Sequence, residues 1–371
     1  MERILEPRFR TLFRVLESPL VTRWLGEPTF DFYAGLVSPM LTARRIVARV
    51  EAIHEDTPSV KSFALRPNGH FRGFRAGQHV NVTVEIDGVR HTRAYSPSNA
   101  PGARDGVVLT VKRHEGGRVS QWLHDHLQVG DVVELGQAFG DFTAPREPGK
   151  LLLVAGGSGV TPIASLLRDV CRRLPDPDVV VLLYGRTYAD LIFAREFDAL
   201  AREHAKVQVH RSVTGEPAAS RDLSGRFSTA HLDAVAPDAA ERRAFVCGPR
   251  ALIDDVRALW AERALPSPLR TETFAPPEAA PDADLAPTLR VTAARTARSF
   301  AANTATPLLV QAERAGLSPA SGCRQGICFS CTCRKKTGLV RDLSTGVVSS
   351  EPDEDVRLCV TVPLSDVALD L

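Results

Sequence analysis

Neither sign of charge is in excess. Lys and Arg total 46 against 44 Asp and Glu, a formal net charge of +2 over 371 residues, so no nucleic-acid partner held by phosphate neutralisation is expected. No run of about 18 uncharged apolar residues is present, so no transmembrane segment is expected. The N-terminus also lacks the small and apolar run with a cleavage site that a secretory signal needs. A cytoplasmic protein is the expectation, and its seven cysteines are then read in a reducing compartment, where clustered thiols favour metal binding over disulfides. With 44% hydrophobic residues, the chain has material for two or three ordinary cores.

Four of the cysteines stand together in SGCRQGICFSCTC, residues 321 to 333. Cys323, Cys328 and Cys331 form C-x4-C-x2-C, and Cys359 follows in VRLCVTVP. That is the plant-type [2Fe-2S] spacing, with three ligands from one loop and a distant fourth. Gly322 and Gly326 let backbone N–H groups approach the cluster sulfurs. Cys333 falls two positions past Cys331, and on a strand it would share that face, which keeps a ligand exchange open. A zinc site is the alternative, but zinc ligands usually come as two close pairs and only one is present. Residues 288–371 resemble the ferredoxin domain of plant-type iron–sulfur proteins. The resemblance implies a β-grasp (α+β) fold, with Cys323 and Cys328 on one iron and Cys331 and Cys359 on the other.

Ahead of that domain, residues 275–287 (APPEAAPDADLAP) read as a linker. Before it comes GKLLLVAGGSGVTPIASLLRDVCRRL. A buried strand at Leu151 to Val154, a tight turn at Gly156 to Gly159 and an amphipathic helix from Ile163 to Leu174 are expected. Such a turn offers free N–H groups and a positive helix end to a phosphate. Pro162 replaces the third glycine of the dinucleotide fingerprint, and Arg186 stands after the second strand in place of an acid. Repeated alternation of strand and helix predicts an α/β parallel-sheet domain over 148–274. This region resembles the nucleotide domain of the ferredoxin-NADP reductase superfamily. The resemblance puts Gly156, Gly157, Gly159 and Pro162 under the pyrophosphate and Thr161 near the nicotinamide. It puts Cys247, Gly248 and Pro249 of VCGP at the hydride-transfer position.

Residues 43–147 show short alternating segments broken by Gly, Pro and Asn turns, which predict an antiparallel β-barrel. Within them, RHTRAYSPSNAP places Arg93 and Tyr95 on one face, with Ser96 opposite or in the turn begun by Pro97. An Arg fork suits a phosphate, a Tyr ring suits stacking on a flat heterocycle, and a hydroxyl can bond a ring nitrogen. Gly117 and Ser120 of GGRVSQWL open a helix and add donors. In the superfamily such a pair of motifs implies FAD, or FMN as the minority alternative. Arg93 and Ser120 would then meet the phosphates, Tyr95 the isoalloxazine and Ser96 its N5. His79, His114, His124 and His126 lack metal-ligand company and read as surface or barrel-closing residues.

The order flavin, pyridine nucleotide, [2Fe-2S] makes one circuit. A nicotinamide gives electrons in pairs, a cluster takes them singly, and a flavin converts between the two. The whole resembles the reductase components of oxygenase, hydroxylase and acyl desaturase systems, an NAD(P)H:acceptor oxidoreductase delivering electrons to such a partner. Two alternatives are a flavoenzyme acting directly on a small substrate with the cluster as an electron store, and a redox-sensing module without nucleotide turnover. Residues 1–42, an N-terminal helical extension, mix apolar residues with Arg at near-helical spacing. They are expected to pack on the flavin domain as a helix pair, or else to dock on a membrane-bound partner or bilayer surface. Arg186, Arg211, Arg221 and Arg226 are candidates for a 2′-phosphate. Gly215 in SVTGE stands where NADPH-specific members carry Arg, so NADPH is favoured only slightly over NADH.

Overall fold

The computed structural model describes residues 27–102, 106–274, 289–326 and 328–371. It divides into two compact units, one running to Glu272 and the other from Thr273, with Thr92–Ala94 grouped with the second. Residues 1–26 and the expected linker lie outside the described residues.

The first unit opens with helix α1 (Glu27–Val37); the rest of the expected N-terminal helix pair lies outside the described residues. Its Phe30 and Ala34 pack against Leu41. The Asp31 carboxylate then accepts hydrogen bonds from the Ala43 N–H at 2.6 Å and Arg45 Nε at 2.7 Å, fixing the helix to the chain that enters the barrel. The opposite face leaves Phe32, Tyr33, Leu36 and Val37 exposed.

Strands β1 (Ile46–Thr57), β2 (Val60–Pro67), β3 (Val80–Ile86), β4 (Val89–Tyr95) and β5 (Val107–Lys112) follow, then helix α2 (Arg118–His126) and β6 (Val132–Leu135). They form a sheet in the order β4-β3-β6-β1-β2-β5, and the bridge from Pro97 to Leu109 brings its two ends together. The alternation that predicted a barrel is the alternation of burial. Val80, Val82 and Val84 point into the core, where Val119 and Leu123 of α2 plug it.

The same unit continues with β7 (Leu151–Gly156), a 3-10 turn (Gly157–Gly159), α3 (Val160–Arg173), β8 (Val179–Gly185), α4 (Ala194–Glu203), β9 (Val207–Val213) and β10 (Leu223–Ser224). It closes with α5 (Thr229–Val235), β11 (Arg243–Cys247), α6 (Arg250–Glu262) and β12 (Leu269–Glu272). The strands lie parallel in the order β10-β9-β8-β7-β11-β12. Every residue of β7 is buried, as a parallel strand covered on both faces requires. Helix α3 begins at Val160, three residues before the expected start. Pro162 sits in its first turn, where no N–H is needed for the helix ladder. Ser165 Oγ of α3 donates to Asn99 O at 2.7 Å, and Arg172 Nη2 donates to Pro101 O at 2.5 Å. The nucleotide helix is thereby stitched to the loop that follows β4.

The second unit contains β13 (Leu289–Ala293), β14 (Arg298–Ala302), α7 (Leu308–Arg314), β15 (Thr332–Thr337), β16 (Val340–Asp342), β17 (Val348–Ser349), β18 (Glu354–Arg357), β19 (Thr361–Pro363) and β20 (Val367–Leu369). Its main sheet runs β14-β13-β20-β15-β18, with β13 and β20 parallel, and a small sheet runs β17-β16-β19. Leu308 and Leu309 of α7 pack into the core against it. A helix laid on a mixed sheet is the arrangement the resemblance implied.

Candidate functional site

Ser96 lies just past the end of β4, buried, and its Oγ has no hydrogen-bond partner among the described residues. A buried hydroxyl without a partner is costly, so this one is arranged for a group brought in from outside. Tyr95 is half-buried against the barrel core. Arg93, on the same strand, is partly buried, and its Nη1 donates to Thr92 O at 2.8 Å. At the start of α2, Ser120 departs from the expectation of a free donor. Its hydroxyl gives its proton to Gly117 O at 3.0 Å and accepts from the His114 N–H at 3.2 Å. Ser120 therefore shapes the turn, and the first N–H groups of α2 are the donors left for a phosphate. A Cβ on Gly117 would stand 2.5 Å from Ser120 Oγ, so the tight turn excludes a side chain there.

Two motifs distant in sequence meet at the C-terminal edge of the parallel sheet. A Cβ on Gly159 would lie 2.3 Å from Cys247 O and 2.6 Å from Gly248 N, and one on Gly156 would lie 2.8 Å from Pro249 Cδ. The glycine turn and VCGP thus touch backbone to backbone. Thr161 is buried at the start of α3 with its hydroxyl donating to Ser158 O at 3.1 Å, which holds the turn closed. Cys247 is fully buried, and burial first, then the carboxylate of Glu272, push its thiol well above the ordinary range. It stays a neutral thiol, suited to packing and weak hydrogen bonding rather than to nucleophilic attack.

Among the four arginines proposed for a 2′-phosphate, Arg211 is already engaged. Its guanidinium pairs with Asp198 and lies 4.0 Å from Asp222. The acids come from α4 and the β9–β10 loop, which strand pattern alone did not reveal. Arg186, Arg221 and Arg226 are exposed. The Gly215 N–H donates to Arg186 O at 2.8 Å, and a Cβ on Gly215 would stand 3.0 Å from that oxygen, so the glycine is there for close backbone contact.

In the second unit, Cys323, Cys328, Cys331 and Cys359 are all buried. Backbone N–H groups already point at sulfur: Cys323 N to Cys328 Sγ at 3.1 Å, Gly326 N to Cys359 Sγ at 3.2 Å and Gln325 N to Cys323 Sγ at 3.3 Å. These are the donors an anionic thiolate cluster needs. A hydrogen bond from the Cys323 thiol, with help from Ser330, draws Cys328 down to about 5. Cys331 falls to about 7 by its bond with Cys359, and the same shared proton drives Cys359 upward. Among the described residues no three His, Cys, Asp or Glu side chains converge on a point suited to one metal ion; a two-iron cluster divides its ligands in pairs.

Arg324 and Phe329 hold positive φ of 60° and 56°, and Gly326 holds 78°, the strained backbone of a loop wound tightly round its sulfurs. Arg357 braces it, donating to Gly326 O at 2.5 Å and to Asp342 at 2.6 Å, with its guanidinium over the Phe329 ring at 5.4 Å. Cys333 lies on β15, buried in the core, and burial raises its thiol. It behaves as a packing residue, unlike Cys328 and Cys331.

Sequence reasoning missed one pair altogether. His79 and Glu272, both buried, approach to 3.5 Å between Nδ1 and Oε1. His124 is buried too, its Nε2 2.8 Å from Val111 O inside the barrel, so these two histidines are the barrel-closing kind.

Three family models match the chain in order: an oxidoreductase FAD-binding domain over residues 45–143, an oxidoreductase NAD-binding domain over 153–258 and a 2Fe-2S iron-sulfur cluster binding domain over 291–364. An NADPH oxidoreductase of Mycobacterium tuberculosis is 33% identical over 92% of this chain and 88% of its own. The glycine betaine monooxygenase reductase subunit of Chromohalobacter salexigens is 29% identical over 92% and 100%, and the NADH oxidoreductase HCR of Escherichia coli 32% over 86% and 96%. Among solved structures, phthalate dioxygenase reductase, described as a modular structure for electron transfer from pyridine nucleotides to [2Fe-2S], aligns with a TM-score of 0.57. It is 25% identical over 88% of this chain and 97% of its own.

Proposed function

Because the chain belongs to the family of reductases that carry electrons from NAD(P)H through FAD and a [2Fe-2S] cluster to a partner oxygenase, we propose how its residues divide that work. FAD and the cluster, when bound, supply the conversion from paired to single electrons. The protein supplies position. Ser96, with its buried and unpartnered hydroxyl, is the hydrogen-bond donor to the flavin ring nitrogen, and Tyr95 is its stacking partner. Arg93 and the α2 N-terminus opened by Gly117 and Ser120 take the phosphates.

Gly156, Gly157 and Gly159, with Thr161 and Pro162 at the head of α3, hold the pyrophosphate and orient the nicotinamide against Cys247, Gly248 and Pro249. The observation that carries this reading is the backbone contact of Gly159 with Cys247 and Gly248, which joins the two motifs into one floor. No residue is assigned as a general base, since a nicotinamide and a flavin held in alignment would exchange hydride without one. Cys323, Cys328, Cys331 and Cys359 hold the cluster, supported by the N–H groups that already face their sulfurs.

NADPH is the donor we propose, on the exposed Arg186 beside the nucleotide edge. The acceptor is a separate oxygenase, hydroxylase or desaturase component. No described helix is long and apolar enough to cross a membrane; a membrane-docked partner is the finer reading, supported by the exposed Phe32, Tyr33, Leu36 and Val37. The test is an anaerobic absorption titration of the purified protein with NADPH and, separately, NADH. Both the flavin band and the iron–sulfur shoulder should bleach, at lower concentration with NADPH. A protein that bleaches with neither nucleotide would refute the assignment.

A further inference from the structure

We propose that His79 is a positioning residue for the hydride-transfer edge, acting through Glu272; the inference rests on the reading of Cys247 and its neighbours as the nicotinamide site. His79 immediately precedes β3 on the barrel side. It exchanges both backbone hydrogen bonds with Phe139 at 3.0 Å, and its ring stands edge-on to the Phe139 ring with centroids 4.2 Å apart. Gly140, at φ 111°, leaves the space the imidazole occupies. A Cβ there would lie 2.9 Å from Cε1 and 3.0 Å from Nδ1. The ring is therefore held in one place by barrel residues alone.

Glu272 arrives from the other side, at the C-terminal end of β12, in register with Cys247 on β11. Its Oε1 meets His79 Nδ1 at 3.5 Å, while Oε2 is buried with no hydrogen-bond partner among the described residues. A pair kept only to join the two lobes would satisfy both carboxylate oxygens. The lobes are, besides, already joined nearby: Arg270 Nη1 donates to Asp141 O at 2.5 Å, and Phe142 packs edge-on against Phe245 at 5.4 Å. What the pair adds is a carboxylate with one oxygen beside a fixed imidazole and one uncommitted, at the strand ends where parallel α/β sheets receive their ligands. Its field reaches the Cys247 thiol. Without the His79 ring, the Glu272 side chain would lose the barrel-side neighbour that fixes its Oε1.

The experiment uses the full-length, FAD-loaded protein mixed anaerobically with NADPH in a stopped-flow spectrometer. It compares wild type with His79→Phe, His79→Asn, Glu272→Gln and the double variant His79→Phe/Glu272→Gln. Flavin bleaching, the nicotinamide–flavin charge-transfer absorbance and the thermal midpoint are read together. His79→Phe should slow bleaching by about tenfold, within the range for contacting residues that act as a unit, and weaken the charge-transfer absorbance. His79→Asn, which keeps an N–H near the δ position, should recover most of both.

On the Glu272→Gln background, His79→Phe should add no further loss. Multiplying losses, or a lowered midpoint with bleaching and charge-transfer absorbance intact, would overturn the inference and leave His79 a structural residue. If His79→Phe does not fold, His79→Gln, which displaces the donor, replaces it with the same expected loss. A wild type bleached by neither nucleotide overturns the assignment of the nucleotide site, and this inference with it.

Discussion

Replacing Gly159 by Ala perturbs the point where the glycine turn meets the VCGP strand end. The added Cβ would lie 2.3 Å from Cys247 O and 2.4 Å from Cys247 C, whereas ordinary contact begins at 3.4 Å. Backbone φ at Gly159 is −63°, so the cost is contact alone and no conformational strain enters. Both neighbours are backbone atoms of buried strands, so no side chain can swing aside, and the turn and β11 must part by about 1 Å. Overpacking of this kind costs about 1–3 kcal/mol, and the thermal midpoint should fall by several degrees. The catalytic effect should be larger, because a displacement of about 1 Å between parts that align two reactants can cost about a hundredfold in rate. Stopped-flow bleaching of the flavin by NADPH would measure it, with FAD content checked beforehand. A variant that keeps its FAD, reduces it at the wild-type rate and melts at the wild-type temperature would refute the reasoning.

Two further outcomes follow from the assigned roles. Cys328→Ser should lower bound iron and abolish electron delivery to cytochrome c while leaving ferricyanide reduction by the flavin near wild type; equal survival of both would place the electron path elsewhere. Arg186→Gln should raise the KM for NADPH by about tenfold, the scale of one lost charge-assisted phosphate contact, with little change for NADH. An unchanged preference between the two nucleotides would remove Arg186 from the site.

The features legible in the sequence are those whose chemistry is local. Three of the four cluster thiolates come from one loop, so the spacing of Cys323, Cys328 and Cys331 is compressed into a readable string. The barrel and the parallel sheet show through because burial alternates along β3 and is continuous along β7. What escaped was contact between distant segments. His79 and Glu272 come from opposite lobes, and neither belongs to a motif.

Arg211 looked available until α4 and the loop before β10 supplied its acids. Ser120 looked like a phosphate ligand because only the folded turn shows its proton already given to Gly117 O. Helix α3 starts three residues before the expected Ile163, because Pro162 in a first turn gives up no bond of the helix ladder.

The stitching of α3 to the loop after β4, through Ser165 and Arg172, bears on protein engineering. A chimera that exchanged one folded module for another would invite a cut between the barrel and the parallel sheet, near residue 147. In this chain such a cut would separate a buried serine hydroxyl from its carbonyl acceptor and leave both facing foreign partners. A graft that exchanges residues 45–272 as one piece keeps that seam native, and the place to join a new electron-delivery module is the stretch between Glu272 and Leu289.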